Sequence, residues 1–328
     1  MSKQWIVLAS AFVVGTIGTL IAAFMFDRHR KKLFNMLTDY VLIGHVSGLT
    51  IYPVKSMKGV CFFESVTNKL KEMQDRHFLV ISENTGKFLT SRQYPKLITV
   101  STEVCVRFQL CRKFELNIRF FRLFEKLKQE GLDCGDEIGE FLRQFLDTTD
   151  KIRLLYYINN LYSERDVVSE EDWLLGSVPK IRAPVSHFTA YPDESPYLAI
   201  CDSSIDDLNS RLPPEDKVDM RWFRPVIHIQ GPKPYDEDMW GELKIRDVTF
   251  ACYKPCTRCV VTTIDPDTGI RRRNNQPLKV LKEYRKVPEK LHKIYGDSPV
   301  LGVFMGVMDK GTIHVGDPVF ARYKNHAY

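Results

Sequence analysis

Three thiols fall within eight positions in the run Cys252-Tyr-Lys-Pro-Cys256-Thr-Arg-Cys259. Such density points to metal or redox chemistry, because a thiolate is both a soft ligand and a nucleophile. A structural zinc site takes four ligands, usually as two paired knuckles, and the chain holds no second Cys-x-x-Cys. A thioredoxin-like pair belongs at a helix start beside a βαβ unit, whereas Cys259 opens the β-branched run Val260-Val261-Thr262-Thr263, which reads as strand. The plain alternative is three buried or surface thiols without chemistry, since free cysteine is common in cores. Cys61, Cys105, Cys111, Cys134 and Cys201 are scattered, as in a protein of a reducing compartment.

A second set of residues could bind an anion. Lys55 and Ser56 follow Ile51-Tyr52-Pro53-Val54, Arg76 precedes His77-Phe78-Leu79, and Arg224 precedes Pro225. Ammonium and guanidinium groups projecting from strand ends on a rigid sheet suit a phosphate or other polyanion. Taken singly, each also reads as a solvated strand terminus.

The elements that must position these groups are mostly short apolar or alternating runs broken by turns. Strands are predicted at Val46–Tyr52, His77–Ile81, Lys87–Ser91, Leu97–Ser101, Ile152–Tyr157, Val226–Gln230, Leu243–Tyr253, Cys259–Ile264, Val300–Val307 and Thr312–Phe320. Helices are predicted at Asp136–Leu146, Ser203–Arg211 and Leu278–Lys286 from their caps and 3.6-residue period. The fold class is therefore mainly β with helices (α+β), of sandwich or barrel type. Asn159–Pro184, polar and proline-flanked, holds the expected domain boundary.

From Trp5 to Phe26 the chain carries 22 residues without a charge, which as a helix span roughly 33 Å against about 30 Å of hydrocarbon. Arg28, His29, Arg30, Lys31 and Lys32 follow, and the positive-inside tendency places everything downstream in the cytosol. The reading is a single N-terminal transmembrane helix (1–26), a basic, amphipathic linker (27–43), and two soluble domains at 44–170 and 171–328. Residues 1–43 hold half of the formal net charge of +6. The remainder is too small for a dedicated nucleic-acid binder.

Several motifs occur in one order: Tyr52-Pro-Val-Lys55-Ser56-Met-Lys58-Gly59, Asp75-Arg76, Asp133-Cys134-Gly135, Ser195-Pro196, Asp207-Leu-Asn-Ser-Arg-Leu212, Phe223-Arg224-Pro225, Arg258-Cys259 through Gly269, and Val315-Gly316-Asp317-Pro318-Val319. Together they resemble the mitochondrial amidoxime reducing component family, and the resemblance covers residues 44–320 and the N-terminal segment. It implies an N-terminal β-barrel-like domain followed by a MOSC β-barrel domain. It also implies a molybdenum cofactor (Mo-molybdopterin) ligated by Cys259, which would be the catalytic and metal-binding thiol. The pterin's phosphate would fall to Lys55, Ser56, Arg76 and Arg224, with Asp193, Ser195, Thr257 and Arg258 near the pterin ring or metal.

The implied activity is reduction of small N-hydroxylated compounds such as amidoximes and hydroxylamines. Electrons would come from cytochrome b5 and NADH-cytochrome b5 reductase, at the mitochondrial outer membrane with the catalytic domain facing the cytosol. The other reading is a non-catalytic molybdenum-cofactor or sulfur-carrier MOSC protein. The segment between Ser56 and Arg76 is a few residues shorter than in the family pattern, and three further features depart from it. Val226 stands where the family has Asn after Phe-Arg-Pro, the acidic Glu194 lies between Asp193 and Ser195, and Cys111–Glu130 is short, basic and aromatic where a cofactor-covering loop is expected.

Overall fold

The structure, a computed structural model, describes residues 39–62, 75–102, 118–123, 127–158, 161–162, 190–192, 194–325 and 327. The expected membrane segment and most of the expected domain boundary lie outside them. Among the described residues, no helix is long and apolar enough to cross a membrane.

The chain is mainly β. Seven strands form a closed ring in the order β12 (Pro318–Tyr323), β9 (Trp240–Ile245), β10 (Val248–Thr257), β11 (Val300–Asp309), β7 (Tyr197–Cys201), β8 (Ile227–Gln230) and β1 (Val41–Ile51). The β1–β12 pairing closes the ring, and β2 (Val60–Phe62) adds on to β1. Period-two alternation supplies the interior: Val46, Ala199, Ile229, Leu243, Phe250, Met305, Val319 and Ala321 all join one core around Trp240. Leu198 and Ile200, of opposite parity on β7, form an outer layer with Cys256 and Leu301, which register shifts in the β10–β11 pairing turn outward. Helix α2 (Asp202–Ser210) covers it with Ile205 and Leu208, and α3 (Leu278–Tyr284) with Leu281. The barrel thus takes β1 from the N-terminal half of the chain.

The other described strands of that half, β3 (Phe78–Ser82), β6 (Ile152–Tyr156), β5 (Leu127–Asp133) and β4 (Ile118–Leu123), form a four-stranded sheet in that order. Helix α1 (Asp136–Phe145) adds Leu142 to a core shared with Val54, Val80, Leu97 and Leu154. The segment Cys111–Glu130, expected to be a short basic run, contributes β4 and the start of β5.

Four expectations are corrected. Leu97–Ser101 is not a strand; Pro95–Thr99 is a 3-10 turn that buries the adjacent Leu97 and Ile98 together, with proline in its first turn where the missing N–H costs nothing. Cys259–Ile264 is likewise a 3-10 turn over Val260–Thr263. Its β-branched threonines brace the turn from their side chains, Thr262 Oγ1 donating to the Cys259 carbonyl at 2.8 Å and Thr263 Oγ1 to that of Val260 at 2.7 Å. Leu243–Tyr253 is two strands, divided at Arg246, whose φ of +52° reverses the chain. Finally, Thr312–Phe320 becomes strand only at Pro318, because Gly316 turns the chain at φ +90°.

Candidate active-site cleft

Where β1 leaves the barrel, the chain runs beside β3. Lys55 N donates to the Phe78 carbonyl at 2.9 Å, Phe78 N to that of Pro53 at 3.0 Å, and Arg76 N to that of Tyr52 at 2.7 Å. Along this seam between the barrel and the second sheet lies a cleft of about 220 Å³. Lys55, Ser56, Arg76, Ser195, Arg224, Thr257, Arg258 and Cys259 all border it, so the structure brings together eight of the nine expected site residues. Asp193 lies outside the described residues.

Backbone conformation singles out three of them. Ser56, Arg76 and Arg224 adopt φ of +70°, +52° and +57°. A non-glycine residue in the left-handed region costs about 1–3 kcal/mol and persists where its surroundings impose it, most often at functional sites. Tyr52 lies between the two arginines: the Arg224 guanidinium sits 4.1 Å from its ring centroid and that of Arg76 5.1 Å. Arg224 Nη1 donates to the Met57 carbonyl at 2.7 Å, and Arg76 forms an ion pair with Asp75. Burial raises the Tyr52 phenol above its ordinary pKa, opposed by both guanidinium groups. Lys55, itself buried, donates from Nζ to the Tyr191 carbonyl at 3.0 Å and stands 5.1 Å from the Phe88 ring centroid.

The thiols divide by environment. Cys256 touches the cleft from the layer outside the barrel but is buried, and burial pushes its thiol up to about 12. Cys259 is half-buried, borders the cleft, and caps the 3-10 turn in extended backbone. Arg92 Nη2 stands 3.6 Å from its Sγ. A sulfur donor at a cleft is a soft ligand suited to a soft metal.

Arg258 borders the cleft from within the fold. It is buried, and its Nε donates to the Leu301 carbonyl at 2.9 Å, as does Nη2, while Nη1 donates to the Phe223 carbonyl at 2.8 Å. Burial lowers its pKa, opposed by the neighbouring thiols. Arg258 therefore ties β10 to β11 and to the loop that carries Arg224, holding Cys259 in position. Ser195 is similarly built into the fold: its Oγ accepts from the Tyr253 hydroxyl and donates to the Met305 carbonyl at 2.8 Å.

The sequence reading missed several lining residues. Thr90, Ser91 and Arg92 arrive from the segment after β3, where Lys87–Ser91 was expected as strand and forms only a bridge at Phe88. Nothing in Thr-Ser-Arg distinguishes it from a polar strand end; its proximity to Cys259 arises across 167 positions. Glu194, noted as an unusual acid, forms an ion pair with buried Lys254, whose Nζ stands 5.8 Å from the Phe304 ring centroid.

Comparison with known proteins gives two kinds of match. Residues 186–320 match the MOSC domain and residues 43–149 the MOSC N-terminal beta barrel domain. The chain is 34% identical over 305 residues to mitochondrial amidoxime reducing component 2 of Bos taurus, covering 85% of this chain and 83% of that one. Mitochondrial amidoxime-reducing component 1 of Homo sapiens matches with the same identity and coverage. Component 2 of Homo sapiens is 33% identical over 338 residues, 97% of this chain and 93% of that relative.

Proposed function

Because this chain belongs to the family of the mitochondrial amidoxime reducing components, we propose that it is a molybdenum-cofactor-dependent reductase of small N-hydroxylated compounds. The observation that carries this reading is one cleft in which a half-buried thiol, Cys259, faces a cluster of cations on strained backbone.

The residues present fit such a group. Lys55, Arg76, Arg92 and Arg224 collect around the cleft, and among the described residues the carboxylate that borders it, Glu194, is paired with Lys254. A dianionic phosphate suits the guanidinium groups stacked on Tyr52, through charge-assisted hydrogen bonds about twice as strong as neutral ones. Cys259 Sγ would be the protein's ligand to the metal, a soft donor for a soft site. When bound, the cofactor would supply the redox chemistry for removing oxygen from an N–OH group, with reducing equivalents from an outside donor.

The chain's own residues do the rest. Arg92 keeps positive charge beside Cys259 Sγ, and Arg258 fixes the backbone from which that thiol projects. Leu198 and Phe304 give the cleft an apolar wall against which a flat substrate can lie. The Glu194 carboxylate, partly exposed and paired with the Lys254 ammonium, adds a polar group to the same wall. Cytochrome b5 and NADH-cytochrome b5 reductase would be the electron donors, and the uncharged segment before Phe26 would hold the domain at the mitochondrial outer membrane, facing the cytosol.

Metal analysis and a reductase assay with a supplied electron donor test this reading. Purified protein should carry molybdenum, Cys259→Ala should lose it together with activity, and Cys256→Ala should keep both. Molybdenum retained by the Cys259 variant and lost by the Cys256 variant would show that the ligand is the other thiol. Holoprotein inactive on every N-hydroxy substrate would leave a cofactor carrier instead.

A further inference from the structure

The turn that carries Cys259 runs on into a hairpin with a basic outer side. Ile264 and Arg271 bridge across it, Asp265 N donates to the Ile270 carbonyl at 3.0 Å, and Gly269 turns the chain at φ +67°. A side chain at Gly269 would meet Lys96 Cα at 3.0 Å, so the glycine lets the hairpin lie against the turn Pro95–Thr99. Lys58 lies beside that turn, its N–H donating to the Val100 carbonyl at 3.0 Å. On the returning arm Arg272 points inward, with its guanidinium 4.0 Å from the ring centroid of Trp222, a residue of the cleft wall. Arg271 and Arg273 on either side of it are exposed. So is Ile270, which at 67% is the most exposed large apolar side chain among the described residues.

The charges on this surface do not cancel. Arg221 pairs with both Asp219 and Asp267, and Arg272 pairs with Asp216. Asp265 turns its Oδ1 back on the hairpin, accepting from the N–H groups of Asp267 and Thr268 at 2.9 Å each. Glu215 and Lys217 nearby offset each other. Lys58, Lys96, Arg271 and Arg273 are exposed and form no ion pair among the described residues. They face only the carboxylate of Asp265 and the one charge of the Asp219 and Asp267 pair that Arg221 leaves over, so the surface stays positive with every pair counted.

Two features identify what covers it. The surface is continuous with the site, because Arg272 N donates to the Thr263 carbonyl at 2.9 Å and Thr262 N to that of Cys259 at 3.0 Å, within a single turn. An outside donor of reducing equivalents must approach the thiol that such a turn presents. An exposed apolar side chain ringed by unpaired cations also suits a small, transient encounter steered by charge, which is how redox partners commonly meet. We propose that the hairpin Ile264–Arg271, together with Arg273, Lys96 and Lys58, docks an electron-carrier protein through a carboxylate-rich face of that carrier. The proposal rests on the reductase reading given under the proposed function.

The test uses the holoenzyme with the soluble domain of cytochrome b5 as donor and, in parallel, with reduced methyl viologen, a small reductant that needs no docking face. The double variant Arg271→Glu, Arg273→Glu should raise the KM for cytochrome b5 about tenfold, the scale of lost electrostatic steering. Its molybdenum content and its rate with methyl viologen should stay as in the unaltered protein. Added salt should narrow the difference in KM, because exposed charges are screened. Lys244→Glu, on β9 of the barrel, is the control and should leave the KM unchanged.

A second readout needs no turnover. A photoreactive benzoylphenylalanine replaces Ile270 or, as control, Leu42, which is 60% exposed on β1. Adducts with cytochrome b5 are expected at position 270 in low salt and several-fold fewer at 42. A KM indifferent to the double reversal, equal labelling at the two positions, or labelling at 270 that goes to phosphatidylserine vesicles in preference to the protein would overturn the proposal. Holoenzyme inactive with methyl viologen loses the reductase reading, while holoenzyme active with it but indifferent to the reversal loses only the docking surface.

Discussion

Arg92 Nη2 lies 3.6 Å from Cys259 Sγ, joining the segment after β3 of the second sheet to the turn that follows β10 of the barrel. The contact brings a permanent cation to the more exposed of the two thiols that border the cleft. Arg92→Ala should therefore lower the molybdenum-to-protein ratio of the purified enzyme, with Arg92→Lys intermediate because a point charge restores the field without the planar fork. Metal content equal to that of the unaltered protein in both variants would reduce Arg92 to a surface residue.

Tyr52 serves as a shared platform for Arg76 and Arg224. Tyr52→Phe keeps the ring and should leave cofactor retention and stability close to normal. Tyr52→Leu removes the face on which both guanidinium groups stack, each contact being worth about 0.5–2 kcal/mol, and should release cofactor during gel filtration. Equal retention in the two variants would mean that the arginines are held by their other contacts alone.

Arg258 is a positioning residue whose guanidinium satisfies the carbonyls of Leu301 and Phe223. Arg258→Ala leaves those buried acceptors without their donors and should cost about 3 kcal/mol in urea unfolding. Arg258→Lys should recover part of the stability and none of the geometry of Arg224's loop, so its molybdenum content should stay low. An alanine variant that unfolds at the normal urea concentration would contradict this role.

The pH dependence of stability should carry the mark of two buried groups at the end of the barrel. Burial, with Asp238 adding to it, raises the Glu237 carboxyl to about 7, while Ser204 Oγ donates to its Oε2 at 2.9 Å. The folded protein binds this proton more tightly than the unfolded chain does, so the associated stability is full below about 4.5 and is lost as pH rises through 7. Burial lowers Lys324 to about 7. Its contribution has the opposite sense, being present above about 10.5 and lost as pH falls to 7. Urea unfolding should accordingly show a minimum near neutrality. Glu237→Gln should flatten the limb below pH 7 and Lys324→Met the limb above it; an unaltered acid limb in the glutamine variant would assign it to other groups.

Local chemistry was enough to determine a good part of this protein. Short apolar runs such as Val300–Val307, and the capped 3.6-residue pattern of Asp136–Leu146, predict elements that the structure contains, because each needs only burial and its own neighbours. The residue types that could hold a soft metal and an anion were equally legible: Cys259, Lys55, Arg76 and Arg224 stand out by chemistry and by motif order. Tertiary structure decided everything that depends on long-range closure. Cys256 and Cys259 are chemically alike in sequence, yet register shifts in β10 bury the first in the layer outside the barrel while a 3-10 turn leaves the second half-exposed at the cleft. That turn itself arises where the β-branched run Val260–Thr263 leaves the sheet and its threonine hydroxyls satisfy the carbonyls behind them, against the local preference for strand. Arg92 could be placed beside a thiol 167 positions away, and β1 made to close the barrel against β12, only by pairings between strands far apart in the chain. No window of neighbouring residues encodes such pairings, because their stability comes from a core that forms once all seven strands are present.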